Sequence, residues 1–194
     1  MQRKSFQNMR CPVARSLERV GEWWSMLILR DALAGMTRFD EFQKSLKIAP
    51  NILTRRLTAL VDAGLLERRR YSERPPRHEY VLTERGRDFR AVLISLQTWG
   101  NRHFAPEGVS VMLVDARTGA PAEPILVDRL TGQPITEATH QNAAGPAAGA
   151  RVRKRLAAQR KPSPTAARPT TGGARTKGRT PRRTPRRTSP GTSS

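Results

Sequence analysis

All ten aromatic residues of the 194-residue chain lie at or before Phe104, and no Asp or Glu follows Glu137. A chain offsets the entropy of ordering only where it buries large apolar groups, so a packed core is confined to this first segment. About a hundred residues is enough for one modest core. Charge follows the same partition. Residues 1–104 carry 20 Lys and Arg against 11 Asp and Glu, residues 105–140 carry 2 against 5, and residues 141–194 carry 14 against none. The chain therefore reads as a folded domain over 1–104, a small acidic extension over 105–140 and a basic tail over 141–194. A net charge of +20 calls for a polyanionic partner.

Other classes are excluded early. The apolar run Met26–Leu29 is far too short to span a bilayer, and Met1-Gln-Arg-Lys-Ser leads into no apolar signal segment. Cys11 is the only cysteine, which excludes an intrachain disulfide and any zinc knuckle built on cysteine pairs. The expectation is a cytoplasmic protein at the nucleoid, with no membrane association and no cofactor.

From Ala143 onward only Val152 and Leu156 are larger aliphatics, so this composition reads as disordered. Arg151–Lys161 can form a short basic helix on a polyanion. Thr180-Pro-Arg-Arg is repeated at once as Thr184-Pro-Arg-Arg, and the prolines forbid helix there. Arg179, Arg182, Arg183, Arg186 and Arg187 are candidate non-specific DNA contacts, and a merely solvated cationic tail is the alternative.

The first segment reads as helices, a hairpin and a last helix. Cys11-Pro12 opens a helix to about Val20, ended by Gly21. Glu22–Ala34 is a second, with Trp24, Leu27, Ile28 and Met26 inward, stopped by Gly35. Thr37-Arg-Phe-Asp40 has capping-box spacing and starts a third helix carrying Phe39, Phe42 and Leu46. Pro50 suits the first position of a fourth, which runs to about Asp62, with Gly64 as its left-handed cap.

The third and fourth helices form a candidate helix-turn-helix. Leu53, Leu57, Leu60 and Val61 cluster on one face of the fourth. The opposite face presents Asn51, Arg55, Thr58 and Asp62, flanked by Ile52, Thr54 and Arg56. Asn and Arg near a helix N-terminus can bond adenine or guanine edges in a major groove. We take Asn51, Ile52, Thr54, Arg55, Arg56 and Thr58 as the candidate readers. The alternative is an ordinary charged surface helix.

Leu65–Tyr71 and His78–Leu82 are strand-like and flank Ser72-Glu-Arg-Pro-Pro-Arg77. A hairpin directly after a recognition-type helix is a wing, and Arg74 and Arg77 make its tip cationic. Thr83 then caps a long helix with Phe89, Val92, Leu93, Leu96, Trp99 and His103 in one stripe. That stripe exceeds what one small core needs, so Val92, Leu96, Trp99 and His103 are candidate dimer contacts. The fold class is mainly α (α+β): a dimeric winged helix-turn-helix with a β-hairpin extension and a disordered tail.

The order of several motifs resembles the HxlR-type winged helix-turn-helix regulators. They are Cys11-Pro-Val-Ala-Arg-Ser-Leu-Glu, Gly21-Glu-Trp-Trp-Ser-Met-Leu-Ile-Leu-Arg30, Arg38-Phe-Asp-Glu-Phe42, Leu53-Thr-Arg-Arg-Leu57, Ala63-Gly-Leu65, Pro75-Pro-Arg77 and Tyr80-Val-Leu-Thr-Glu-Arg-Gly86. The resemblance covers about residues 10–104. It implies a bacterial dimeric transcription factor whose terminal helices pair the protomers, with one recognition helix per half-site. Trp23 stands where the family often has Lys, and Ala49 where a Ser N-cap is common. Some relatives use the cysteine at this position to sense oxidants, so Cys11 is either a redox sensor or a small residue packed in the N-terminal dimer contact.

Val114-Asp-Ala-Arg-Thr-Gly-Ala-Pro121 recurs as Val127-Asp-Arg-Leu-Thr-Gly-Gln-Pro134, an offset of thirteen residues. Each copy reads as a strand entering a Thr-Gly turn. Some longer relatives resemble this layout with Cys-Gly in place of Thr-Gly, which would hold zinc; here no metal is expected. The acidic balance argues for packing on the dimer or a partner rather than on DNA. His78, His103 and His140 lack ligand spacing, and Trp23 and Trp24 read as core and helix packing. No nucleophile–base set, paired acids or phosphate loop supports an enzyme.

Three functions fit this reading. The first is a sequence-specific transcriptional regulator, a homodimer on a palindromic operator in double-stranded DNA. The second is a nucleoid-associated protein whose tail coats DNA. The third, an RNA-binding protein, is disfavoured because no aromatic lies in the basic tail to stack bases.

Overall fold

Proline and glycine punctuate the chain where the helices turn over. A computed structural model describes Phe6, Met9 and residues 11–159. Helix α1 (Pro12–Val20) starts on Pro12 and ends at Gly21, whose N–H donates to the Leu17 carbonyl at 2.8 Å. Helix α2 (Trp23–Leu33) leads into α3 (Phe39–Leu46), and α4 (Pro50–Asp62) begins on Pro50 with no side-chain cap from Ala49. Gly64 takes the left-handed conformation, φ +67°, that lets the chain leave α4 for the first strand. Strands β1 (Leu66–Glu73) and β2 (Pro76–Leu82) form an antiparallel hairpin. After it come α5 (Glu84–Asp88), α6 (Arg90–His103) and α7 (Ala150–Gln159).

The core sits where α2, α3, α4 and the base of the hairpin meet. Ile28 and Leu29 of α2, Phe42 of α3, Leu53, Leu57 and Leu60 of α4, and Leu66 of β1 are fully buried there. Truncating one such leucine to alanine typically costs about 2–5 kcal/mol. Helix α2 turns Ile28, Trp24 and Met26 to the core as expected, but its buried face is broader. Leu29 is buried and Leu27 only half-buried, and the polar Ser25 and Asp31 lie inside. Asp31 tolerates burial because it is bonded on both oxygens. The Arg30 guanidinium donates at 2.8 Å and the Ser45 hydroxyl of α3 at 2.7 Å. Trp24 packs on the core, but Trp23 is 76% exposed, which corrects its reading as packing.

The capping box of α3 is shifted by one residue from the expected Thr37–Asp40 pair. Glu41 Oε2 accepts from the N–H groups of Thr37 and Arg38, each at 2.9 Å. Those two bonds, with the Arg38 charge, hold the Glu41 carboxyl below the usual carboxylate range. The wing strands run further than expected, leaving only Arg74 and Pro75 between them. The hairpin is joined to the helices on both sides. Tyr80 N–H donates to the Thr37 carbonyl at 2.7 Å, and the Arg38 backbone forms an antiparallel β-bridge with that of Glu79. The Thr83 hydroxyl donates to the Gly64 carbonyl at 2.7 Å and accepts from Gly86 N–H at 3.1 Å.

Thr83 caps as expected, yet the long helix is two helices meeting at Phe89. The expected stripe also divides. Phe89 and Leu93 pack on the core, while Val92, Leu96, Trp99 and His103 are exposed. After α6 the thirteen-residue repeat forms two matching turns. Gly119 and Gly132, at φ +71° and +69°, donate their N–H groups at 2.8 Å to the carbonyls of Asp115 and Asp128. Val114 bridges to Pro121 and Val127 to Pro134. Gln97 and Asn101 of α6 both donate to the Val111 carbonyl, at 3.1 and 2.9 Å, and so tie this extension to α6. The basic stretch expected to fold on a polyanion is already helical as α7. Its half-buried Val152 and Leu156 line a groove with Cys11, Pro12 and Val13.

Candidate nucleic-acid interface

Helix α4 positions its side chains by the 3.6-residue period. Because Leu53, Leu57 and Leu60 anchor one face, Asn51, Thr54, Arg55 and Thr58 are left exposed on the other. The Asn51 carboxamide oxygen accepts from the Ile52 N–H at 2.8 Å, which leaves the two donors of its NH₂ group for another partner. The Thr54 hydroxyl donates back to the Pro50 carbonyl at 2.9 Å. Among the described residues Arg55 is in no ion pair and no hydrogen bond, so its five donors are available.

Two of the six expected readers are placed differently. Ile52 is half-buried and packs against the core. Arg56 turns inward, with Nη2 3.1 Å from Glu22 Oε2 at the start of α2. The signal was in the spacing: Arg56 lies three residues after Leu53 and four before Leu60, on the shoulder of the buried face.

The wing sorts its arginines into two sets. Arg69 pairs with Glu67 at 2.9 Å and Arg70 with Glu73 at 3.1 Å. The hydrogen bond from Arg69 holds Glu67 below its ordinary value and Arg69 above its own. Arg74 and Arg77 at the tip are exposed and, among the described residues, have no carboxylate within salt-bridge distance. Arg68 Nη2 lies 3.1 Å from His78 Nδ1.

Sequence reasoning missed Arg38. At the N-cap of α3 its guanidinium carbon stands 5.1 Å from the centre of the Tyr71 ring in β1. No helical or strand periodicity marks it, because its neighbourhood is made by the pairing of residues 37–38 with residues 79–80 of β2.

The remaining candidates lie elsewhere. Trp99 is 54% exposed and stacks edge-on with Phe104, ring centres 4.8 Å apart, with His103 beside them at 6.0 Å. Cys11 is half-buried at the N-cap of α1, facing α7. The tail arginines Arg179, Arg182, Arg183, Arg186 and Arg187 lie outside the described residues. Among the described residues no group of three or more His, Cys, Asp or Glu side chains could hold a metal ion. No described helix is long and apolar enough to cross a membrane.

Residues 19–108 match the HxlR-like helix-turn-helix family. An HTH-type transcriptional regulator of Mycobacterium tuberculosis is 43% identical over 125 residues, 64% of this chain and 79% of that one. The chain belongs to the HxlR-like family. A Bacillus subtilis HTH-type regulator, YdeP, is 36% identical over 94 residues, 48% of this chain and 73% of that one. Two solved structures described as candidate transcription factors share the fold. PA1374 from Pseudomonas aeruginosa is 56% identical with a TM-score of 0.56, over 75% of this chain and 100% of that one. PA1607 is 40% identical with a TM-score of 0.65, over 72% and 99%. Both likenesses span more of this HxlR-like chain than residues 1–104, so they run on past α6.

Proposed function

We propose that this HxlR-like chain is a sequence-specific DNA-binding transcriptional regulator. It acts as a homodimer on a palindromic operator. The observation that carries this is the exposed row Asn51, Thr54, Arg55 and Thr58 on the second helix of a helix-turn-helix, with an unpaired arginine at its centre. In a major groove that row reaches base edges, while Arg74 and Arg77 at the wing tip reach phosphates or a minor groove. The relatives' description as HTH-type transcriptional regulators supports the same role. Val92, Leu96, Trp99 and His103 supply the pairing surface, and a two-fold protein matches a two-fold operator. The tail adds sequence-independent affinity through its cations.

Footprinting tests the proposal on the chain's own upstream genomic DNA and on random duplex. Discrete protection of a palindrome, with half-sites about one helical turn apart, is the expected result. Uniform protection at every sequence would instead make the chain a DNA-coating nucleoid protein.

A further inference from the structure

Beside the wing lies a cleft of about 420 Å³, bounded by Arg38, Phe39 and Asp40 at the start of α3 and by Tyr71, Arg77 and His78 of the hairpin. We propose that this cleft binds a phosphodiester of the DNA backbone, with Arg38 and Arg77 as its cationic ligands. The inference rests on the DNA-binding reading above and adds a contact that fixes how the wing and α3 sit on one strand.

Three features build the site. Arg38 is anchored at both ends. Its backbone is held by the bridge to Glu79 and by the Glu41 carboxylate on its N–H, and its guanidinium lies over the Tyr71 ring. A guanidinium stacked on an aromatic face keeps its fork of N–H donors free and loses less freedom on binding an oxyanion. Second, Tyr71 is the bulged residue of β1. Arg70 pairs with His78 and Ser72 with Arg77, which leaves Tyr71 outside the ladder. Bulges re-aim a side chain that regular pairing would hold elsewhere. Third, the charges within the cleft are unbalanced. Asp40 is the single carboxylate lining it. Glu41 is occupied by the Thr37 and Arg38 N–H groups, and neither Arg38 nor Arg77 has a carboxylate within salt-bridge distance among the described residues. A held guanidinium with unused planar donors, and a second unpaired arginine across the cleft, beside a DNA-reading helix suit a phosphate, whose oxygens accept two parallel bonds.

The test uses the full chain, a random duplex and salt titration. Arg38→Ala should lower affinity for every duplex and reduce the slope of log affinity against log salt by about one unit. Arg38→Lys should restore most of the slope, because it returns the charge. Tyr71→Leu should keep the slope and lose about two- to fivefold in affinity, the stacking share. Circular dichroism melting confirms that each variant folds. An Arg38→Ala slope equal to that of the parent chain overturns the proposal while leaving DNA binding intact. A parent chain that binds no duplex overturns the DNA-binding reading itself. Inorganic phosphate at matched ionic strength separates the sources of phosphate. If it protects the parent chain, but not Arg38→Ala, from unfolding while the DNA slopes stay equal, the cleft takes a free anion and the backbone assignment falls.

Discussion

Arg56 of α4 is 3.1 Å from Glu22 at the N-cap of α2, so one of the two adjacent arginines of this helix is bound to the protein itself. The pair is largely shielded, with side-chain exposures of 21% and 28%, and Arg56 Nε is buried without a partner. Desolvation therefore takes back part of the attraction. The buried Leu53, Leu57 and Leu60 set the rotation of α4, and the pair occupies Arg56 on the shoulder of that face while Arg55 is turned outward.

Neighbouring arginines should thus give opposite phenotypes. Arg56→Ala should lower unfolding free energy by about 1–3 kcal/mol. Arg55→Ala should leave stability within about 0.5 kcal/mol. On the cognate operator Arg55→Ala should cost about 1–3 kcal/mol, with a much smaller loss on random duplex. Urea unfolding and fluorescence anisotropy measure the two quantities. Equal losses on cognate and random DNA would make Arg55 a phosphate contact rather than a base reader.

Two glycines separate backbone need from chance. A Cβ at Gly86 would run into the Leu65 carbonyl oxygen and stand 2.9 Å from Leu82 Cδ2, at the junction of wing and α5. Gly86→Ala must push that junction apart, and a loss of about 2–4 kcal/mol is expected. Gly100, within α6, has open space around it. Gly100→Ala should stabilise by about 0.5–1 kcal/mol through helix propensity. Paired melting curves settle both, and a neutral Gly86→Ala would show that the contact is not rigid.

What was legible in the sequence followed from local rules. Pro12 and Pro50 marked helix starts, Gly64 marked the exit from α4, and the leucine spacing of α4 predicted which residues face out. The repeat at thirteen residues marked its two turns through the Thr-Gly pairs at 118–119 and 131–132. What escaped was set by tertiary partners. Arg56 looked like surface until Glu22 of another helix claimed it. The α3 cap moved from Asp40 to Glu41 because the chain enters the helix through a bridge to β2. The apolar pattern of α2 gave no sign that Ser25 and Asp31 lie inside, and Asp31 is accommodated there by a hydrogen bond from Ser45, fourteen residues away. Arg38 needed the hairpin bulge at Tyr71, which no alternation pattern displays.

The repeated turns carry their own acid response. Asp115 is held below its ordinary value chiefly by the Thr118 N–H, then by the Thr118 hydroxyl and the Arg117 N–H. Asp128 is held down chiefly by the Thr131 hydroxyl, then by the Leu130 N–H. A carboxylate with a depressed folded value contributes fully above its unfolded value, about 3.9, and the contribution fades as pH falls through the folded value. Carboxyl NMR titration should therefore place both aspartates below the ordinary aspartate value of about 3.9. The Thr118 and Leu130 amides should shift in step with them. Ordinary midpoints for both would mean that the turns are open in solution.

Cys11 makes no side-chain cap hydrogen bond at the start of α1 and sits half-buried in a groove shared with α7. Cys11→Ser should bind operator with the parent's affinity and keep the parent's response to diamide. A response that disappears in Cys11→Ser would establish the thiol as a sensor, acting through an adduct or an intersubunit disulfide because the chain has no second cysteine.

The last 54 residues carry 14 cations and no acid. Binding by such a segment works through release of counterions from DNA and is blind to sequence. If five or six of these charges meet phosphates, they steepen the slope of log affinity against log salt by about five units. Two truncations divide the contribution. Removing 160–194 takes away the Thr-Pro-Arg-Arg repeats, and removing 145–194 also takes away α7 with Arg151, Arg153, Lys154 and Arg155. Each should weaken binding to all duplexes alike and flatten the slope, the longer deletion more. The ratio of cognate to random affinity should survive, because Arg55 and the wing remain in place. Identical slopes for the full chain and both truncations would show that the tail does not touch DNA and would assign its charge to solubility or to an acidic protein partner.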